Sequence, residues 1–494
     1  MTTPVAQPNR TWLQNAGLIG GFLLLAIILF LPTPATLSTA GHRMIAILFF
    51  SIVIWMTSAV SYPVSATIIT AMTALSLGLA PDMAHPDKLL GTSSALKIAL
   101  SGYATPAWAL VAAAMFISVG MMKTGLDKRI AMLVLSRVGT KISSIYLGII
   151  VTGFILAFFV PSATARLACL VPIILGITES LGINKKSHLA VLLMVGATQA
   201  DTLWNIMVQT AAAQNLITVG FINTQLHTQI PWFTWLLAAA PFSLIMVVIY
   251  FFLSMYLLKP EKLDMTNGLE RIKQLRKEMG PMSLDEKKLL IISILLLFTW
   301  ATSGKLHHID TSTSTIVAIA LFLTPKIGIM DWKYAQPRIG WGAIVMFGAG
   351  ISLGTALLQT KAAVWLATIF INAFSLMDTA FLGLMAIMSL FLILIHLGFA
   401  SATALASAMI PIIISILQKV QIPGVDIAMA TMLFQFAVCF GFILPVNSPQ
   451  GMVAYGTDTF EVKDFIKTGV PITIIGYAML ILLAATYWHW IGIV

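Results

Sequence analysis

The chain has 494 residues, 59% of them hydrophobic and only 9% charged, with a formal net charge of +10 and a mean hydropathy of +0.95. About 25% of a soluble protein's residues are charged, and many apolar runs here reach the roughly 20 residues that a helix needs to cross a hydrocarbon core; a soluble fold is excluded and an all-α polytopic membrane protein is implied. The basic residues flank apolar runs instead of forming one patch, which excludes a nucleic-acid partner.

The first apolar run, 16–32, follows a short polar stretch with one arginine and has no small-residue cleavage pattern behind it, so it reads as a span and not as a signal peptide. Spans follow at 43–59, 62–80 and 105–123, then an interfacial helix at 124–139. The stretch 143–177 has about twice the length of a span. It is broken near its centre by Pro161-Ser162-Ala163-Thr164, the pattern of a re-entrant hairpin. Its returning limb carries Arg166, and an intramembrane cation is a functional-site candidate by default. The next span, 188–222, holds Asp201 beside Gln199 and Asn205 and is interrupted from Gln209 to Asn215. A span at 233–258 closes the first half. Segment 259–288 has the one long charge run and reads as a solvated cytoplasmic linker. Spans at 289–303, 312–325 and 341–358 and an interfacial helix at 359–375 come next. A second hairpin, 379–418, breaks at 398–403, shortly after His396. A second broken span, 427–456, is interrupted between Pro445 and Gly451, and the last span is 470–490. The expected count is eleven spans and two hairpins. Scaffold helices would fall in 1–100 and 289–340, and the two repeat units in 101–258 and 341–494. Trp232, Trp235, Trp332, Trp341, Trp488 and Trp490 cluster at span ends and read as interfacial belt residues. Cys169 and Cys439 sit in apolar runs and read as small core residues.

Lysine and arginine concentrate on the cytoplasmic side of membrane proteins. With the N-terminus inside, 21 of the 28 Lys and Arg residues fall on inside segments and six outside, with Arg166 left in the membrane. The N-terminus is therefore expected in the cytoplasm and the C-terminus outside. The halves also resemble each other. "SATARLACLVPIILGI" (162–177) parallels "SATALASAMIPIIISI" (401–416) at an offset of 239, and "FISVGMMKTG" (116–125) parallels "GISLGTALLQT" (350–360) at 234. The hairpins would enter from opposite sides, an inverted repeat of the kind secondary transporters use, with the substrate at the repeat interface.

Non-helical backbone inside a bilayer must be buried in protein or line a watery cavity. The tips therefore point Ser162, Thr164, Ser401 and Thr403 at a polar centre, with helix N-termini behind them suited to an anion. Two opposed tips suit a substrate with two carboxylates. The broken spans add unwound carbonyls that can hold a cation.

These tips and breaks resemble those of the divalent anion/sodium symporter family of di- and tricarboxylate carriers. The resemblance runs along the whole chain and implies a homodimer whose hairpin-bearing domain moves as an elevator against a scaffold. It implies substrate contacts at Ser162, Ala163, Thr164, Ser401, Ala402, Thr403, Gln214, Asn215, Asn447, Ser448 and Pro449. It implies sodium sites near Ser162, Ala163, Ala211, Ser401, Ala402 and Asn447. In the family each tip reads Ser-Asn-Thr, whereas here both asparagines are alanine, Ala163 and Ala402. Against that loss stands Arg166, in a run similar to the Ser-x-Thr-Ala-Arg of the exchanger branch. A guanidinium can grip a carboxylate bidentately and would stand in for a sodium charge. Its repeat counterpart is Leu405. A salt bridge with Asp201 is the alternative use of Arg166, and Asp201 and His396 are the candidate coupling residues.

The sequence thus points to a carrier in the inner membrane that exchanges di- or tricarboxylates, with a sodium- or proton-coupled symporter of such acids, or of sulfate, as the alternative. No cofactor is expected beyond sodium ions. His-Glu-x-x-His, Gly-x-Ser-x-Gly and P-loop patterns are absent, which argues against an enzyme.

Overall fold

A computed structural model describes residues 11–261 and 263–494; Arg10 and Lys262, both used in the charge count, lie outside the described residues. Helices build the described chain, and no strand forms among the described residues. Ten helices among the described residues are long and apolar enough to cross a membrane. Three of them are hairpin limbs: Ile142–Phe159, Ala163–Ser180 and Ala402–Val420. The other expected spans are also helices, but shorter ones such as Tyr62–Gly78, or ones that begin on charged residues, such as Leu284–Thr302.

Each half runs through the same order of elements. After the extra first helix Trp12–Phe30, two helices lead to a short helix and a 3-10 turn, then a long helix, a shorter one, a hairpin, a broken helix and a closing helix, and the same order follows from Leu284. The 3-10 turns are Ser101–Ala104 and Gln336–Arg338, and the long helices after them are Pro106–Thr124 and Trp341–Gln359. These two counterpart helices run in opposite directions. Met122, near the end of the first, lines the same cavity as Gly340, just before the start of the second. The inversion expected from the sequence is therefore built into the packing. It requires close approach where the helices cross. A Cβ on Gly102 would lie 2.2 Å from the Gly348 carbonyl oxygen, and a Cβ on Gly348 would lie 2.5 Å from the Tyr103 ring. Only glycine fits at both places.

The hairpins, broken helices and closing helices pack largely on one another, with Leu126–Leu135, Thr266–Glu278 and Ala362–Phe374 against the hairpin limbs, and the other helices form a second body beside them. Within the first body, proline and small residues produce the breaks, and buried side chains hold them. Trp235 Nε1 donates to Ile206 O at 3.0 Å, and Trp232 Nε1 to Thr210 Oγ1 at 3.2 Å. These two tryptophans and Trp488 are buried, whereas Trp332, Trp341 and Trp490 are exposed. The belt reading is thus corrected for Trp232, Trp235 and Trp488, which use their ring N–H groups on internal partners.

The linker is corrected as well. Thr266–Glu278 is a helix, and it buries Gly268, Leu269 and Ile272. It packs on the returning limb of the first hairpin. Just past its end, Arg129 of the short helix Leu126–Leu135 donates to the carbonyls of Met279, Gly280 and Pro281 and pairs with Glu286 at 2.5 Å.

Candidate functional site

The two hairpin tips are alike in backbone and capping. Ser162 and Ser401 are extended residues that cap the returning helices, accepting from the N–H of Ala165 at 3.3 Å and of Ala404 at 3.5 Å. The first-turn N–H groups of Ala163, Thr164, Ala402 and Thr403 have no intrahelical acceptor and remain for a ligand. The two breaks match in the same way. Gln209–Ala211 and Pro445–Asn447 are 3-10 turns, each flanked by extended residues, and a new helix starts at Ala213 in one and Pro449 in the other. Gly451 permits the second break, because a Cβ there would lie 2.2 Å from Pro445 O.

Both tips and both breaks line one cavity of about 420 Å³. Of the residues singled out from the sequence, Ser162, Ala163, Thr164, Ser401, Ala402, Thr403, Gln214, Asn447, Ser448, Pro449 and His396 line it. Thr202, Asn205 and Gln450 join them from the same body, and Gln450 donates to Thr202 Oγ1 at 3.2 Å. The facing wall is largely apolar, with Tyr62, Met115, Val119, Met122 and Met346. Alanines at 163 and 402 leave backbone donors uncovered at both tips. The cavity therefore has the chemistry of an anion site made of helix N-termini and hydroxyls.

Arg166, Asp201, Ala211 and Asn215 lie behind this lining, not in it. Arg166, expected to grip the substrate, is fully buried and holds Asp201 instead, with Nε to Oδ1 at 2.7 Å and Nη2 to Oδ2 at 3.3 Å. Nη2 also donates to Asn205 Oδ1. Nη1 donates to Val160 O at 2.7 Å and Ala211 O at 3.0 Å. All five guanidinium N–H groups thus have acceptors within the protein in this conformation. Asn215 bridges the first break, donating to Asn205 O at 2.7 Å and Val208 O at 3.2 Å.

A different side chain plays the matching role in the second half. Asn447 Nδ2 donates to His396 O and Phe399 O, each at 2.9 Å, and its Oδ1 accepts from the Leu444 N–H. His396 Nε2 lies 3.2 Å from Asn447 O. A carbonyl only accepts, so Nε2 carries the hydrogen, and Nδ1 is left buried without a partner. In both halves, then, a protein donor ties the carbonyls of a tip to those of the adjacent break. Arg166 does this in the first half, and Asn447 with His396 in the second. Asn447, expected among the substrate contacts, lines the cavity, but its amide hydrogens are used on tip 2. No cluster of three His, Cys, Asp or Glu that could hold a metal occurs among the described residues.

Sequence reasoning missed Arg338. It entered only as a loop charge in the topology count, yet it lines the cavity. Its position after a proline in a short turn gave no signal.

Residues 14–494 match the family described as the sodium:sulfate symporter transmembrane region. A membrane protein of Cupriavidus necator is 48% identical over 477 residues, covering 96% of this chain and 93% of that one. An L-tartrate/succinate antiporter of Escherichia coli is 25% identical over 504 residues, with 99% of each chain covered. Among solved structures, the YdaH transporter of Alcanivorax borkumensis shares the fold with a TM-score of 0.55 at 13% identity, covering 86% of this chain and 97% of that one. Matched along nearly its whole length, the chain belongs to the sodium:sulfate symporter family, the divalent anion/sodium symporters, and is a membrane transporter, not an enzyme.

Proposed function

We propose that this chain exchanges di- or tricarboxylate anions across the inner membrane without sodium, as a homodimer working by an elevator movement. The observation that carries this reading is the occupation of both tip–break junctions by protein donors. Carbonyls gathered around a gap would suit a sodium ion. Here the carbonyls of Val160 and Ala211 face a guanidinium, and those of His396, Phe399 and Asn447 face an amide and an imidazole N–H. The fixed cation is neutralised by Asp201, so no net positive charge travels with a bound dianion, and one-way movement would build up an opposing potential. A dianion carried back on the return leg cancels that charge movement. That is exchange. The antiporter relative supports the same direction.

Symport with sodium is the reading that the family description favours. Proteoliposomes separate the two. Labelled succinate or tartrate should enter only vesicles preloaded with unlabelled dicarboxylate, equally in sodium and in choline. Uptake into empty vesicles that depends on sodium would sink the exchange reading. Uptake into empty vesicles driven by an inward proton gradient would point instead to the unpartnered His396 Nδ1.

A further inference from the structure

The two bodies meet along a seam whose ends differ in charge. At one end is the cavity just described. With Arg166 held behind the tip, Arg338 is the only Lys or Arg among the described residues in its lining. The Arg338 side chain is exposed. Its guanidinium carbon lies 4.0 Å from the centre of the Tyr334 ring, and Nη1 donates to Tyr334 O at 3.0 Å. That is its one hydrogen bond among the described residues, so most of its N–H fork remains open to a ligand. Lys123 Nζ lies 5.1 Å from the centre of the same ring, a second positive charge nearby. Arg338 belongs to the scaffold side of the seam, whereas the tips that would hold the carboxylates belong to the other body.

The repeat supplies an internal comparison. Arg338 stands three residues before the helix Trp341–Gln359, and Tyr103 stands three residues before its counterpart, Pro106–Thr124. Tyr103 is neutral, half-buried and 3.4 Å from Thr70 Oγ1. The opposite end of the seam also has its own cavity, of about 320 Å³. Along the helix Pro106–Thr124, Met115, Ser118, Val119 and Met122 line the first cavity, whereas Pro106, Ala107, Ala109 and Leu110 line the second. Among the described residues, Asp310 is the one ionisable group in the second lining, which holds no Lys or Arg. An anion thus meets a guanidinium at one end and a carboxylate at the other.

We propose that Arg338 is a one-sided capture residue: a scaffold cation that binds the incoming anion only while the transport body faces the Arg338 end. The inference rests on the exchange reading above. Because Arg338 stays with the scaffold, it contributes to substrate binding in one state and nothing in the other. A cleft lined by one sign of charge raises local anion concentration and association rate by about 10-fold or more, and salt weakens the effect. The carrier therefore has unequal apparent affinities on its two faces.

The test uses membrane vesicles of both orientations, preloaded with unlabelled succinate, with KM read for labelled succinate. The charge bias places Arg338 on the cytoplasmic side, so inverted vesicles expose it. Wild-type protein should show the lower KM in inverted vesicles, with the difference shrinking as salt is added. Arg338→Gln should raise that KM about 10-fold and leave the KM of right-side-out vesicles unchanged. Arg338→Lys should recover most of the loss. Equal wild-type KM values on both faces, or an Arg338→Gln effect of the same size on both, would overturn the proposal. Wild-type vesicles of both orientations that exchange no dicarboxylate would overturn the exchange reading beneath it, and the capture role with it.

Discussion

Arg166 and Asp201 neutralise each other at a place closed to water, with side-chain exposures of 0% and 1%. Removing one member of such a pair leaves the other charge uncompensated, at a cost of about 3–5 kcal/mol. Arg166→Leu should therefore lower the unfolding midpoint in detergent far more than the double change Arg166→Leu/Asp201→Leu does. Equal losses in the two variants would show that the pair stabilises nothing. Glu261 works in the opposite setting, outside the spans. Its carboxylate accepts from the N–H groups of His188 and Leu189, both at 2.8 Å, at the start of the first broken helix. Burial opposes its charge, but its own backbone N–H together with those of His188 and Leu189 outweighs burial and holds its pKa below the ordinary 4.5. A lowered pKa means that the stabilisation is complete above 4.5 and is lost as pH falls below that value, through the folded-state pKa. Thermal stability measured down that acidic range should drop, and Glu261→Gln should flatten the drop.

At the scale of elements, the tips and breaks matter as tied pairs. Asn447→Ala would leave the carbonyls of His396 and Phe399 without their side-chain donor, at a cost of about 1–3 kcal/mol. Exchange should fall by at least an order of magnitude in protein that still elutes as a folded species; undiminished exchange would show that the tie is dispensable. The wild-type melting temperature should not move when sodium replaces choline, because the carbonyls already have donors. The breaks were legible in the sequence, since proline, glycine and runs of alanine in the middle of an apolar stretch have few other uses. The pairing of Arg166 with Asp201 was legible only as an alternative, because spacing cannot say whether a guanidinium turns toward a cavity or away from it. The helix Thr266–Glu278 was hidden by its charges. Its apolar positions Leu269, Ile272 and Leu275 lie on one helical face, but a run of Lys, Arg and Glu around them reads as solvated chain. Thr92–Leu100 was hidden by its length of nine residues, too short to register as a span. Arg338 was hidden because a turn gives its side chains no period from which a direction could be read.

At the scale of the molecule, the repeat gives two similar tips, while the cavities at the two ends of the seam differ in charge. On the elevator movement proposed above, symmetry in the moving body and asymmetry in the fixed one would let a single site serve both faces with different affinities. The linker joins these halves and holds one of them. Arg129→Ala should loosen the segment after the linker helix, since it removes donors to three carbonyls and leaves buried Glu286 only the Ser283 N–H as a partner. Limited proteolysis should then cut near Gly280 faster than in the wild type. The linker helix also bears on how the chain is made. Synthesis delivers the first half before the second, and the apolar face of Thr266–Glu278 settles on the first hairpin's returning limb, where Gly268 meets Ile177. A nascent chain halted after Met282 would therefore already contain its own cover for that limb. Two polypeptides, one ending at Met282 and the other starting at Ser283, should assemble into a working carrier when made together, whereas a first piece ending before Thr266 should leave that limb bare and be cleared by quality-control proteases.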